Sequence, residues 1–308
     1  MDIVARIERY KEFHTQQNGL LVGVLPDSSF LEKMPKLTDV DWQNEQSVKH
    51  HARKKLAFFR KYWRRVDPVE DDFIPSIQAL AGTGMAAAAL LKDSKLDLEA
   101  ETNYLRDSGF DFSAKSLDRV GFDPENPWFR AQLWILQTFL DEWDGTYGIL
   151  PFTHFDPLDL ANQYRGNDLF LDMELYPDEL HDLLHRCTCA ILELEDYLRT
   201  EVMQGFPLAG AVCSAWIPNG SYMSCCAGDL MSPQHLATFG IPYTRQIVET
   251  WGGAYLHHHE LGRHQVETWA SVPALSLQFL NRDFNARHLG EEMEDEIIGL
   301  DDVVVTAL

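Results

Sequence analysis

The stretch "GGAYLHHHELG" (residues 252–262) decides how the chain is read, because it sets three consecutive histidines at the end of an apolar run. The run has the composition of a buried strand. Successive side chains of a strand point to opposite faces, so His257 and His259 share one face and His258 takes the other. In a parallel barrel the C-terminal end of such a strand opens onto the active site. His257 and His259 then face the site, and His258 packs toward the helices. Two imidazoles on one strand face can reach the same ion, so His-x-His is a metal-ligand spacing. Hydrogen-bonded polar residues at a strand end would give the same pattern.

Working outward, "ALSLQFL" (274–280) reads as the next strand, after a helix over about 263–271. Upstream, Ser232 as a cap and Pro233 at the first helical position open a helix that runs to about Trp251 and bends at Pro242. "PLAGAVCSAW" (207–216) reads as a buried strand. Before it, Leu180, Leu183, Leu184, Cys187, Ile191, Leu194 and Leu198 trace one face of a helix that begins at Pro177. "YGILPFTHFD" (147–156) reads as a strand preceded by a helix from Trp128 to about Glu142, and "PLDLANQY" begins a short helix after it.

Residues 94–127 look polar and irregular. The first ~18 residues suggest a helix ending near Gly19, with a strand in "LLVGVLP" (20–26). The acidic "GEEMEDEIIGLDD" leads into "VVVTAL" at the end of the sequence. Buried strands alternating with helices predict a largely parallel sheet. With no repeat and no long linker, the expected fold class is α/β: a single TIM (β/α)8-type barrel domain over 1–308. Residues 1–66 are expected to form a helical and strand lead-in, and the family resemblance given below implies a last barrel unit that is missing, shortened or supplied by another subunit.

Composition narrows the function. Lys and Arg number 26 against 48 Asp and Glu, a net charge of −22, which disfavours nonspecific contact with nucleic acid or anionic lipid. No run approaches the ~18 apolar residues of a membrane span. "MDIVARIERYKEFHTQQNG" carries no apolar signal core. The five cysteines are odd in number and unevenly spread, unlike a secreted disulfide framework. Cys187 and Cys189 lie two apart in a helix and cannot share a ligand. These features predict a soluble, cytoplasmic protein with no nucleic-acid or membrane partner; a homo-oligomer is compatible with them, and a small-molecule substrate is what the resemblance described below implies.

Two motifs invite functional readings that their context argues against. "KHHARKKLAFFRKYWRRV" (49–66) mixes eight basic residues with aromatics, as single-strand nucleic-acid binders do. However, Leu56, Phe59 and Trp63 follow helical spacing, which predicts an amphipathic helix with a solvated basic face. "GTGMAA" (82–87) fits the GxGxxA dinucleotide fingerprint, but Pro75 interrupts the strand that should precede it. Close packing by small residues is the better reading.

Other strand ends carry reactive groups. "FTHFD" places His154 and Asp156 where a strand yields to a helix, and helix capping is the alternative role for both. "CCAGDLMSP" places Cys225, Cys226 and Asp229 before another helix. Asp229 could equally be a turn residue. Adjacent Cys225 and Cys226 point oppositely in extended chain, so at most one faces the site. Convergence of His, Asp and Cys from separate strand ends is what a barrel active site requires.

Four stretches, in this order, resemble the uroporphyrinogen decarboxylase superfamily. They are "DPLDLANQYRGNDLFLDMELYPDELHDLLHRCT" (156–188), "AGDLMSPQHLATFGIPYTRQIVE" (227–249) with its internal proline, "GGAYLHHHELG", and "VPALSLQFLNRD". Together they span about 145–285. The superfamily holds heme-pathway decarboxylases, corrinoid-dependent methyltransferases and, more distantly, cobalamin-independent methionine synthase.

In the methyltransferases, the His and Cys of an HxC motif and a later Cys bind zinc, which lowers a thiol's pKa so that a thiolate accepts the methyl group. The family His matches His257 and the family Cys falls on His259, while no cysteine follows Cys226. A zinc site would then be rebuilt from His257 and His259 with a carboxylate or His154. The resemblance implies methyl transfer between a corrinoid protein, carrying methylcobalamin, and a small thiol-type acceptor. Asp229 or Asp156 would orient a ligand or shuttle a proton. The alternatives are a decarboxylase-like lyase, although "VLPDSSFLEKMPK" lacks that branch's arginines, and a ligand-binding barrel without catalysis.

Overall fold

A computed structural model describes residues 5–9, 12, 36–66, 74–99, 102–106, 109–151, 154–204, 206, 220–280, 295–299 and 303–307. For 62–66, 154, 260, 278–280 and the last two segments, only the backbone is described. Residues 5–9 are helical. The sequence-based strands at 20–26 and 207–216 lie outside the described residues.

Helix α1 (Glu45–Val66) leads to strand β1 (Ser76–Gln78) and the short α2 (Thr83–Ala88). A hairpin follows, β2 (Leu96–Leu98) and β3 (Asn103–Leu105), then α3 (Ala114–Leu117) and α4 (Pro127–Asp141). Next come β4 (Gly148–Leu150), β5 (His154–Phe155), α5 (Pro157–Arg165), α6 (Asp168–Leu175) and α7 (Pro177–Tyr197). Strand β6 (Ser221–Ser224) precedes α8 (Pro233–His235) and α9 (Ile241–Trp251). Strand β7 (Ala254–His259), α10 (Val266–Trp269), β8 (Leu275–Leu280), β9 (Asp295–Gly299) and β10 (Val303–Ala307) complete the order.

The main sheet has six strands in the order β10-β9-β8-β7-β6-β5. Strands β5 to β8 run parallel, and β9 and β10 continue the sheet antiparallel. Strands β1 and β4 form a separate parallel pair, and β2 with β3 a separate antiparallel one. The expected closed TIM barrel is therefore incorrect: among the described residues the sheets are open. Closure would need the outer edge of β8 to meet further parallel strands, but antiparallel β9 occupies that edge. The expected strand 147–156 divides at Pro151, which has no N–H for a ladder, so β4 and β5 belong to different sheets. The hairpin within 94–127 was also not expected.

Packing accounts for the two motifs set aside above. On α1, Val48, Ala52 and Leu56 are buried and Phe59 packs on the core, while Arg53 and Arg60 pair with Glu142 after α4. Lys55 Nζ donates to the carbonyls of Gln78 and Leu80, tying α1 to the end of β1. In "GTGMAA", a Cβ on Gly84 would lie 2.7 Å from Asn103 O and Tyr104 Cα, so only glycine lets the hairpin approach α2 this closely.

Helix α7 buries Leu180, Leu183, Leu184, Cys187, Ile191 and Leu194, at roughly 1.5–3 kcal/mol for each large side chain. The bend expected at Pro242 is a π-turn, Leu236–Gly240, lying between α8 and α9. A proline in a helix removes one backbone donor and crowds the carbonyl four residues back, and a widened turn relieves both. Among the described residues, no helix is long and apolar enough to cross a membrane.

Candidate functional site

The four parallel strands β5 to β8 end on the same side, and that edge carries the reactive residues. Register sets Ser224 opposite His257, and the Cys225 N–H donates to His257 O at 3.0 Å. The chain then turns through Cys226 into a 3-10 turn, Ala227–Leu230. Cys226 thus comes to lie beside the end of β7. The donor atoms of Cys226, His257 and His259 all fall within 4.8 Å of one another, and all three residues are half-buried. The His257 and His259 rings meet edge to face with centroids 5.1 Å apart.

His258 takes the other face of β7. It is fully buried against Trp269, with ring centroids 5.5 Å apart. Its Nδ1 donates to Asp229 Oδ1 at 2.7 Å, while Asp229 Oδ2 accepts the His259 N–H at 3.1 Å. Asp229 therefore bonds to the end of β7 from the turn after β6.

A second cluster lies at the start of α5. Asp156 caps the helix, its Oδ1 accepting the Asp159 N–H at 2.8 Å, and Thr244 Oγ1 donates to Asp156 Oδ2 at 3.1 Å. Asp159 reaches across to the turn after β6: it accepts the N–H groups of Cys226 at 2.8 Å and Ala227 at 2.6 Å, and Ser224 Oγ at 3.2 Å. Donor atoms of Asp156, Asp159 and Cys225 also lie within 4.8 Å of one another, all buried.

Burial, and for Asp156 also the neighbouring Asp159 carboxylate, push both acids well above the ordinary carboxylate range. Burial pushes the Cys225 thiol up, reinforced by the two acids. Groups held toward their neutral forms, with oxygens already engaged by five donors, are poor metal ligands.

The donor chemistry distinguishes the two clusters. One thiolate and two imidazoles suit zinc, with bonds of about 2.3 Å to sulfur and about 2.0–2.1 Å to nitrogen. Tetrahedral coordination at those lengths separates the ligand atoms by about 3.3–3.6 Å. The donor atoms of the triad lie within 4.8 Å of one another, so each pair is at most about 1.5 Å wider than that spacing.

The structure thus brings His257 and His259 together and sets Asp229 behind them, bonded to backbone and to His258. It places Asp156 in the second cluster, as the cap of α5. His154 pairs with Met223 at the start of β5, and its side chain lies outside the described residues. The third member of the triad is Cys226, where the sequence reading expected a carboxylate or His154. The signal for it was the "CC" after a strand; what was missing was the register that sets β6 against β7. Asp159 was also missed, although Asp156-x-x-Asp159 has capping-box spacing. In a capping box the second acid bonds back to the first residue's N–H, but here the Asp156 N–H donates to Ser224 O. That leaves Asp159 available to the neighbouring strand's turn.

No protein-family model matches the chain, and no curated protein matches it by sequence. Among solved structures the chain is similar to a methyltransferase from Methanosarcina mazei, with a TM-score of 0.52 and 12% identity. At that identity the likeness is one of fold; the match covers 79% of this chain and spans 65% of the length of that one.

Proposed function

We propose that the chain is a zinc-dependent methyltransferase of the uroporphyrinogen decarboxylase superfamily, moving a methyl group between a corrinoid protein and a small thiol. The observation that carries this reading is the convergence of Cys226, His257 and His259 at the C-terminal ends of adjacent parallel strands. The fold shared with a methyltransferase and the four resembling stretches support it.

Three protein ligands leave a fourth position for substrate, the arrangement that separates catalytic from structural zinc sites. Zinc bound there supplies Lewis acidity that holds an acceptor thiol as thiolate at neutral pH. The protein's own part is positional. His257 and His259 present their rings from one strand face, and Cys226 closes the triad from the next strand's turn. Half-burial keeps the triad open to a small acceptor and the methyl donor. Asp229 orients the end of β7, and Asp156 secures α5 against β6 and α9.

The test combines metal analysis of untagged protein with methylcobalamin demethylation across a panel of thiols. One zinc per chain, zinc-dependent demethylation and loss of both in Cys226→Ala are expected. A chain without stoichiometric zinc would contradict the mechanism.

A further inference from the structure

We infer that Asp159 and Asp229 are positioning residues that fix the triad before a metal arrives, an inference that rests on the zinc centre proposed above. Each carboxylate comes from outside β7 and bonds to a backbone amide of a triad residue. Asp159, in the first turn of α5, gathers the Ser224 hydroxyl and the Cys226 and Ala227 amides around one carboxylate. Asp229, in the 3-10 turn after β6, takes the His259 amide on one oxygen and the His258 ring on the other.

The need for such anchors follows from where the ligands sit. Cys226 lies beyond the last ladder residue of β6, and His259 is the last residue of β7. Strand ends and the turns after them are where backbone order falls away, and a metal that must first order its ligands binds more weakly. Asp159 holds the Cys226 and Ala227 amides at 2.8 and 2.6 Å, and Asp229 holds the His259 amide at 3.1 Å, so each carboxylate fixes an amide next to or within the triad. The two anchors also tie together the elements that supply the ligands, α5 to the β6 turn and that turn to β7.

Gly262 offers a way to disturb one anchor without altering any charge. A Cβ there would meet the Asp229 carboxylate, with Cγ at 3.0 Å and His258 Nδ1 at 3.1 Å. The Gly262 backbone is not left-handed, so alanine fits it, and the flexible Asp229 side chain must move. Asp159→Asn tests the other anchor by replacing one acceptor oxygen with a donor that faces amide donors. Asp172→Asn is the control: it removes an equally buried carboxylate, here bonded to Arg165.

Zinc affinity of the full chain is measured by competition with a chromophoric chelator, and cobalt(II) substitution reads the sulfur-to-metal charge-transfer band. Asp159→Asn and Gly262→Ala should each lose zinc affinity 10–100-fold and shift the cobalt band. Asp172→Asn should lower the melting temperature and leave both metal readouts unchanged. If Asp159→Asn does not fold, Ser224→Ala, which removes one of the donors on the same carboxylate, tests that anchor in its place, and Gly262→Ala tests the Asp229 anchor. Wild-type affinity in the folded variants overturns the inference while leaving the zinc centre standing. A wild-type chain that takes up no zinc overturns the centre and this inference with it.

Discussion

Asp229 lies 2.7 Å from the His258 ring nitrogen, on the face of β7 opposite the triad, and the same carboxylate accepts the His259 amide. One acid therefore bonds both to the buried side of the strand and to the backbone of a proposed ligand. The three adjacent histidines thereby divide into two kinds.

Replacing His258 by alanine should cost stability. The substitution leaves the Asp229 carboxylate buried without its ring partner and opens space beside Trp269. A loss of about 2–3 kcal/mol is expected, read as a lower denaturant midpoint. The zinc content of the folded fraction should fall less than in His257→Ala. A His258→Ala protein as stable as wild type would show that the strand register is wrong.

Replacing Cys226 or His257 should act the other way. Both side chains are half-buried at the strand ends, so their loss removes little packing. Each variant should melt within about 0.5 kcal/mol of wild type without metal and bind zinc at least tenfold more weakly. Isothermal titration with zinc on metal-free protein checks this, and unchanged affinity in either variant would remove that residue from the centre.

The buried acids predict an unusual pH dependence. Burial and the Asp159 charge raise Asp156 from 3.8 to about 7, so the folded chain keeps a proton that the unfolded chain releases. Its contribution to stability is fully present below the unfolded value and is lost as pH rises through the folded one. Asp156→Asn keeps a capping acceptor and has no proton to lose. Denaturant titrations from pH 4 to pH 8 should therefore show wild type falling, relative to Asp156→Asn, by on the order of a few kcal/mol. Parallel curves for the two proteins would contradict the assignment.

What the sequence disclosed follows from the range of each interaction. Strand β7 and the split of its histidines were legible because alternation is local to the strand. The caps at Asp156 and Ser232 were legible for the same reason. Cys226 as the third member of the triad depended on β6, a four-residue strand of mixed polarity, and on its register against β7. The bonds of Asp159 to Cys226 and Ala227 span 67 and 68 residues of sequence, beyond any local pattern. Alternating strands and helices did indicate a largely parallel sheet, and β5, β7 and β8 lie in stretches read as strands, whereas β6 was not read as one. They carried no information on closure, which is decided at the sheet edge, where the acidic Asp295–Gly299 segment pairs antiparallel with β8.

The central claim is that Cys226, His257 and His259 hold one zinc ion, and X-ray absorption at the zinc edge of the untagged full chain tests it most directly. One sulfur at about 2.3 Å and two imidazole nitrogens at about 2.0–2.1 Å are expected, with a light atom in the fourth position. The sulfur should be absent in Cys226→Ser. A first shell with no sulfur, or with two, or a chain that retains no zinc, would contradict it.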